Sequence, residues 1–328
     1  MRRWVLPAVI AFALAFPWVF TGAFYERMGA LVLLYAISAS AWNLIGGYAG
    51  QVSVGHSVFF GAGAYMALLV YNLWGLPPLA GVPLGILVSI LIAIVIGVPS
   101  FRLRGHYFAM ATLAVAELTR IAVANWDLLG AAIGLSGPAV PRTALDLSFR
   151  SSIPYYYIFL AVLALLLFVT WRIERTRPGY YLRAIRENER AARSLGVPVV
   201  RYKLYTYMLS AAFTALAGAL YVMMIGFVDP ESGFGILISV EMVIMAALGG
   251  AGTLFGPLLG AVILVPLKEI TNAQFGGGGT GVTYVIYGGI IILLARFRPG
   301  GLIGLWQEWT ARRTAPTARR AAEAGEQA

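Results

Sequence analysis

His56 and His106 are the only two histidines in the chain, and no cluster of acids lies near either. Two isolated imidazoles do not make a metal site, and no Ser-His-Asp order points to hydrolysis. Cysteine is absent, which removes thiolate metal sites and any disulfide framework. Gly249 to Gly256 has the glycine content of a phosphate loop but lacks the lysine that should follow. No G-x-x-x-x-G-K-[ST] motif occurs in the sequence, so ATP chemistry is not expected here. What remains is a set of polar groups inside apolar runs. Glu117 and Arg120 are spaced i,i+3 on one helical face, where they either offset one another or serve a pathway, and Arg120 can also snorkel outward. Glu241 stands in another apolar run without a local partner and must face protein or water. Two glycine-rich breaks, Gly46 to Gln51 and Gly249 to Thr253, interrupt apolar runs in the two halves of the chain. Broken membrane helices offer freed backbone groups to a transported ligand; close helix packing is the competing explanation. Asn43, Gly50, Gln51, Ser53, His56, Glu117, Gly249 and Gly250 are the candidate pathway residues, and Gln51, Ser53 and His56 are expected to line it.

The second chemical feature is a basic interruption, Arg172 to Lys203. It holds nine of the 24 Lys and Arg but three of the 14 acids, a net +6 out of +10 for the chain. Leu182, Ile185, Ala192 and Leu195 recur at helical spacing, Glu189 and Arg193 form an i,i+4 pair, and Gly196 with Pro198 supplies a stop. The pattern predicts one short amphipathic helix over Leu182–Leu195. Its thin, alanine-containing stripe suits a protein groove better than burial in lipid headgroups, although an interfacial helix has the same pattern.

These groups need a scaffold, and composition defines it. Sixty per cent of residues are hydrophobic and 12% charged, against about 25% charged in a soluble domain. The fold class expected is an all-α polytopic membrane protein; a β-barrel would need short alternating segments, which are missing. Apolar runs cover Trp4–Phe20, Met28–Ile45, His56–Leu73, Leu79–Val98, Tyr107–Asn125, Pro154–Trp171, Leu204–Gly226, Ile236–Leu248, Leu254–Leu267 and Val282–Ala295. The first run is expected to be an uncleaved span, since its Ala-x-Ala triplets lie inside the run. About ten spans are predicted, eight if the short runs at Ile236 and Leu254 form a re-entrant pair. With the N-terminus in the cytoplasm, ten crossings put Arg102/Arg104, the basic interruption, the C-terminus and the basic tail inside, and Asp229/Glu231 outside. Trp126 to Ile153 then forms a long external loop. The basic residues flank spans, so nucleic acid is not an expected partner; membrane lipid is.

Several ordered motifs carry a family resemblance that extends over nearly the whole chain. They are Trp42 to Ser53 with Gly55-His56, Arg102 to Ala109 with Ala116-Glu117, and Ala184 to Ala192 with Leu195-Gly196 and Arg201 to Lys203. Asp229-Pro230, Gly249 to Thr253 and Phe297 to Leu302 complete the set. Together they resemble the permeases of branched-chain amino acid ABC transporters, the LivM-type subunit. One stretch departs from that family's pattern: Leu129 to Leu135 lacks a middle glycine pair. The resemblance implies an ABC importer permease fold over residues 1–299, including a cytoplasmic coupling segment at 172–203, and a largely disordered basic tail over 300–328. It implies a multi-pass protein of the bacterial inner membrane that is not itself an enzyme. The partners implied are a second homologous permease, two ATPase subunits that bind ATP and magnesium, and an external binding protein; no cofactor is implied on this chain. Leu182, Arg183, Ile185, Arg186, Glu187, Glu189, Ala191, Ala192, Leu195 and Gly196 would contact the ATPase. Uptake of urea or short amides is the alternative within the family, and a stand-alone carrier or channel the alternative outside it.

Overall fold

The structure is a computed structural model and describes residues 2–103, 105–138 and 144–274, with isolated positions at 281, 285, 288, 289 and 301–304. The run expected at Val282–Ala295 and most of the 300–328 tail therefore lie outside the described residues, as does Arg104. The chain is helical: α1 (Arg2–Val19), α2 (Ala23–Asn43), α3 (Ser57–Trp74), α4 (Pro78–Ser100), α5 (His106–Ala124), α6 (Ile153–Glu174), α7 (Arg177–Glu187), α8 (Glu189–Ser194), α9 (Val199–Ile225), α10 (Pro230–Phe234), α11 (Ile236–Gly249) and α12 (Gly256–Gln274). Among the described residues seven helical segments are long and apolar enough to cross a membrane, and the α10–α11 pair counts as one of them.

Small residues decide how these helices pack. The α2 sequence from Gly29 to Asn43 is rich in Ala and Ser, and nearly all of it is buried against α6, α9, α11 and α12. A methyl group added at Gly63 would fall 1.9 Å from the Ala215 carbonyl oxygen, and one at Gly218 1.9 Å from that of Phe60. These reciprocal contacts let the backbones of α3 and α9 touch, which is how membrane helices gain van der Waals contact when lipid supplies no hydrophobic drive. Proline opens α4, α6 and α10 at the first or second helical position, where no amide bond is lost. Gly75 and Gly226 close α3 and α9 in the left-handed conformation, at φ 64 and 80.

The contacts sort the connections into two ends. At one end Ser136 and Leu135 form β1, paired antiparallel with β2 (Phe227–Val228), and Asn72 donates to the Ser136 carbonyl. Trp18 donates to the Tyr157 hydroxyl and Ser151 to Glu26 at the same end. The long loop at 126–153 is therefore anchored through short elements instead of hanging free. The acidic turn at Asp229 is a capped helix start: Asp229 accepts from the Ser232 amide and Ser232 accepts from the Asp229 amide. At the opposite end lie both glycine breaks and the basic segment. Gly301 lies against Gly250 there, and Leu302 packs on the core. Packing contacts therefore continue past residue 299 to Leu302.

The basic segment is not one helix. Asn188 ends α7 and, with φ −156, caps α8 by accepting the Ala191 amide at 3.1 Å. An asparagine favours this over helix continuation because its side chain can satisfy a first-turn amide.

Candidate functional site

The two glycine breaks meet. α2 continues into a single wide π-helical turn, Leu44–Tyr48, and Asn43 sits at its start. Asn43 Oδ1 accepts the Gly252 amide at 2.7 Å while its Nδ2 donates to the Thr253 carbonyl at 3.0 Å. A Cβ at Gly47 would lie 2.3 Å from the Gly252 nitrogen. Both breaks are thus glycine-rich because two backbones and one buried amide share the space. In this arrangement the Gly252 amide and the Thr253 carbonyl are satisfied by Asn43.

The basic segment reaches the same knot. A Cβ at Gly252 would fall 1.9 Å from Arg186 Nη1, and one at Gly50 3.2 Å from Arg186 Cγ. Tyr48 at the end of the wide turn donates to Glu174 at 2.8 Å, and Arg183 stands 4.0 Å from the same carboxylate. One arginine of α7 therefore touches the glycine breaks from both halves of the chain. The α7–α8 unit is further fixed by Lys203, which is 1% exposed and meets Glu189 at 2.6 Å, while Arg193 meets the other oxygen at 2.9 Å.

The apolar stripe faces inward. Leu182 joins the main core, and Ile185, Ala192 and Val199 form a small core of their own under Val197 and Tyr202. Leu182, Ile185 and Ala192 are buried within the chain. Leu195, expected on the same face, is 84% exposed because the break at Asn188 rotates α8 away from the phase of α7. Arg183, Arg186, Glu187, Ala191, Leu195 and Gly196 are the exposed members of the set, and Glu189 is half-buried. Beside them an open cavity of about 590 Å³ is lined by Gln51, Gly105, Asn188, Glu189, Arg190 and Arg193, among others.

The expected pathway residues divide. Gln51 and Gly50 lie at the α7–α8 end and border that cavity or Arg186. Ser53 and His56 are sealed in the interior at 0% exposure. His56 Nε2 is 2.8 Å from Ser210 Oγ, and Ser210 donates to the Ala41 carbonyl at 2.6 Å. Ser210 must therefore accept from the ring, which places the proton on Nε2 and leaves Nδ1 to accept from Ser53 Oγ at 3.1 Å. A neutral imidazole satisfies this chain. His56 clamps α3, α9 and α2 together and lines no open surface. Gly249 and Gly250 are buried; a Cβ at Gly249 would meet the Gly256 carbonyl oxygen at 1.7 Å, so they serve the α11–α12 hairpin.

The intramembrane charges are paired. Glu241 meets Lys268 at 2.5 Å across α11 and α12, and Tyr35 of α2 lies under the ammonium at 5.2 Å. Lys268 thus answers the Glu241 charge, 27 residues along the chain and outside any local sequence window. Glu117 and Arg120 form a two-point ion pair at 3.0 and 2.5 Å, and Arg120 Nη1 adds Glu231 of α10 at 3.3 Å. Among the described residues no group of three His, Cys, Asp or Glu is placed to hold a metal ion.

A family profile described as the permease component of the branched-chain amino acid transport system matches residues 25–295. The chain belongs to that family. The LivM permease of the high-affinity branched-chain amino acid transport system of Salmonella typhimurium (strain LT2) is 31% identical, over 92% of this chain and 75% of the relative. The Escherichia coli K12 LivM is 30% identical over the same shares. The LivH permease of the same Salmonella system is 30% identical over 44% of each chain.

Proposed function

We propose that this permease is one of two homologous membrane subunits of an ATP-driven importer of branched-chain amino acids in the bacterial inner membrane. The observation that carries the proposal is the contact of Arg186, from a polar unit outside the spans, with the junction of the two broken helices. A partner that moves α7–α8 moves both halves of the permease through that contact. One of two ATPase subunits binds the exposed surface around Leu195, Arg190 and Glu187, and the two ATPases hold the ATP and magnesium; this chain holds no cofactor. An external binding protein delivers the amino acid at the end formed by β1, β2 and the 126–153 loop. The polar α7–α8 unit and both termini are cytoplasmic.

Ten crossings suit the packing. α11 and α12 run antiparallel, joined by Glu241–Lys268 and by the Gly260–Met245 approach. The 19 residues of α12 span about 28 Å, a length that supports a crossing over a re-entrant pair. α12 leaves the α7–α8 end at Gly256, and Gly301 lies against Gly250 at that same end. The second permease subunit is a relative of this chain, as the similarity to LivH supports.

The test is reconstitution of the permease with its co-purifying subunits in proteoliposomes. Labelled leucine, isoleucine, valine and urea are offered with the binding protein, with and without ATP. ATP-dependent uptake of a branched-chain amino acid is expected. Uptake by this chain alone without ATP makes it a carrier and overturns the proposal; ATP-dependent uptake of urea alone overturns the substrate.

A further inference from the structure

Three charges gather where α5 meets α10, and the importer mechanism as set out above makes no use of them. Arg120 forks onto Glu117, with Nε at 3.0 Å and Nη2 at 2.5 Å, and turns Nη1 toward Glu231 at 3.3 Å. The side chains are 40% exposed for Glu117, 28% for Arg120 and 64% for Glu231. Two carboxylates against one guanidinium leave the group at −1. α5 is the least embedded of the long apolar helices, and its buried positions are confined to Phe108, Thr112, Ala116 and Val123. Glu117 precedes the Ala124 end by seven residues, about 10 Å along the axis, well inside a hydrocarbon layer about 30 Å thick. Lipid does not tolerate a half-exposed carboxylate at that depth; such groups face a protein neighbour or a water-filled path. On the helical wheel Met110, Leu113 and Ile121 share the face of Glu117 and Arg120, and all three are exposed. The surface therefore offers carboxylates, a guanidinium edge and an aliphatic floor side by side.

We propose that Glu117, Arg120 and Glu231 form a station for the amino acid zwitterion on its way through the permease. The α-ammonium is taken by the Glu231 carboxylate, which has one contact at 3.3 Å among the described residues and acceptor positions to spare. The α-carboxylate takes the Nη1 edge of Arg120 that Glu231 now occupies loosely, while Glu117 holds the other edge and keeps the fork in place. The branched side chain lies on Leu113 and its apolar neighbours. A solute without an ammonium group leaves Glu231 unanswered, so the station favours amino acids over urea or amides. This assignment rests on the importer function proposed above.

The same proteoliposomes test it. Glu231→Gln removes a charge from an exposed position and is expected to leave the amount and thermal midpoint of the assembled complex unchanged. ATP-driven leucine uptake is expected to fall at least tenfold, with Glu117→Gln similar. The exchange Glu117→Arg with Arg120→Glu preserves an ion pair but reverses its polarity beside Glu231, and uptake is expected to stay low. Normal uptake in Glu231→Gln overturns the station, as does full recovery in the exchange variant, which would show two charges that only neutralise each other. A wild-type complex that imports no amino acid overturns the importer function itself, and the station falls with it; normal wild-type uptake confines any failure to the station.

Discussion

Asn43 holds the two broken helices together with one side-chain amide. It is 2% exposed and satisfies the Gly252 amide and the Thr253 carbonyl at once. Asn43→Ala strands both groups, at about 1–3 kcal/mol each, and should lower the thermal midpoint and the yield of the purified permease. Gly252→Ala differs in kind. Its Cβ meets Arg186 Nη1, which can swing aside, and the Gly47 carbonyl at 2.8 Å, which cannot; φ is already +80. The expected outcome is about 1–3 kcal/mol of destabilisation together with ATP hydrolysis that continues while uptake falls, measured side by side on one preparation. His56 shows where single-residue reasoning stopped. A lone polar residue among apolar ones fits a pathway or a packed core; the contact with Ser210, 154 residues away, speaks for the core. His56→Phe is accordingly expected to reduce the amount of folded protein, not uptake per molecule.

Among the elements, α7–α8 was the most legible and also the most altered by folding. Its basic charge, its helical spacing, the Glu189–Arg193 pair and the stop at Gly196 (φ 82) all stand in the sequence. The break at Asn188 does not, because asparagine is tolerated inside helices as well as at caps. That one residue decides which side chains face out: Ala192 goes into the small core and Leu195 into solvent. A pair of substitutions separates the two roles. Ala192→Asp buries a charge beside Ile185 and Val199 and should unfold the unit, with loss of purified complex. Leu195→Asp touches nothing inside, should stay within about 0.5 kcal/mol of wild-type stability, and should weaken co-purification of the ATPase subunits. Lys203→Met probes the attachment of α8 to α9. Glu189 keeps Arg193 and is a quarter exposed, so the cost falls to about 1–3 kcal/mol, below that of breaking a fully buried pair.

For the molecule as a whole, hydrophobic length located each long helix among the described residues, because a span must satisfy its backbone bonds internally. Which loops share an end was also foreseeable from the distribution of Arg and Lys. What the sequence withheld was contact between distant segments: Arg186 at Gly252, Glu241 at Lys268, Leu135 beside Val228. Such pairs leave no periodic trace, since each is specified by packing and not by spacing. The two ends can be checked directly, and the absence of cysteine makes the check clean. Leu195 at the α7–α8 end is 84% exposed, and Leu128 after α5 is 50% exposed at the other. A single cysteine at either site should preserve the fold, because neither side chain belongs to a core cluster. In intact spheroplasts a membrane-impermeant maleimide should label Leu128→Cys, while Leu195→Cys should react only after the membrane is opened. Reversed labelling would invert the permease and place the polar α7–α8 unit out of reach of any cytoplasmic ATPase. Labelling of both from outside would contradict the single crossing, α6, that separates Leu128 from Leu195.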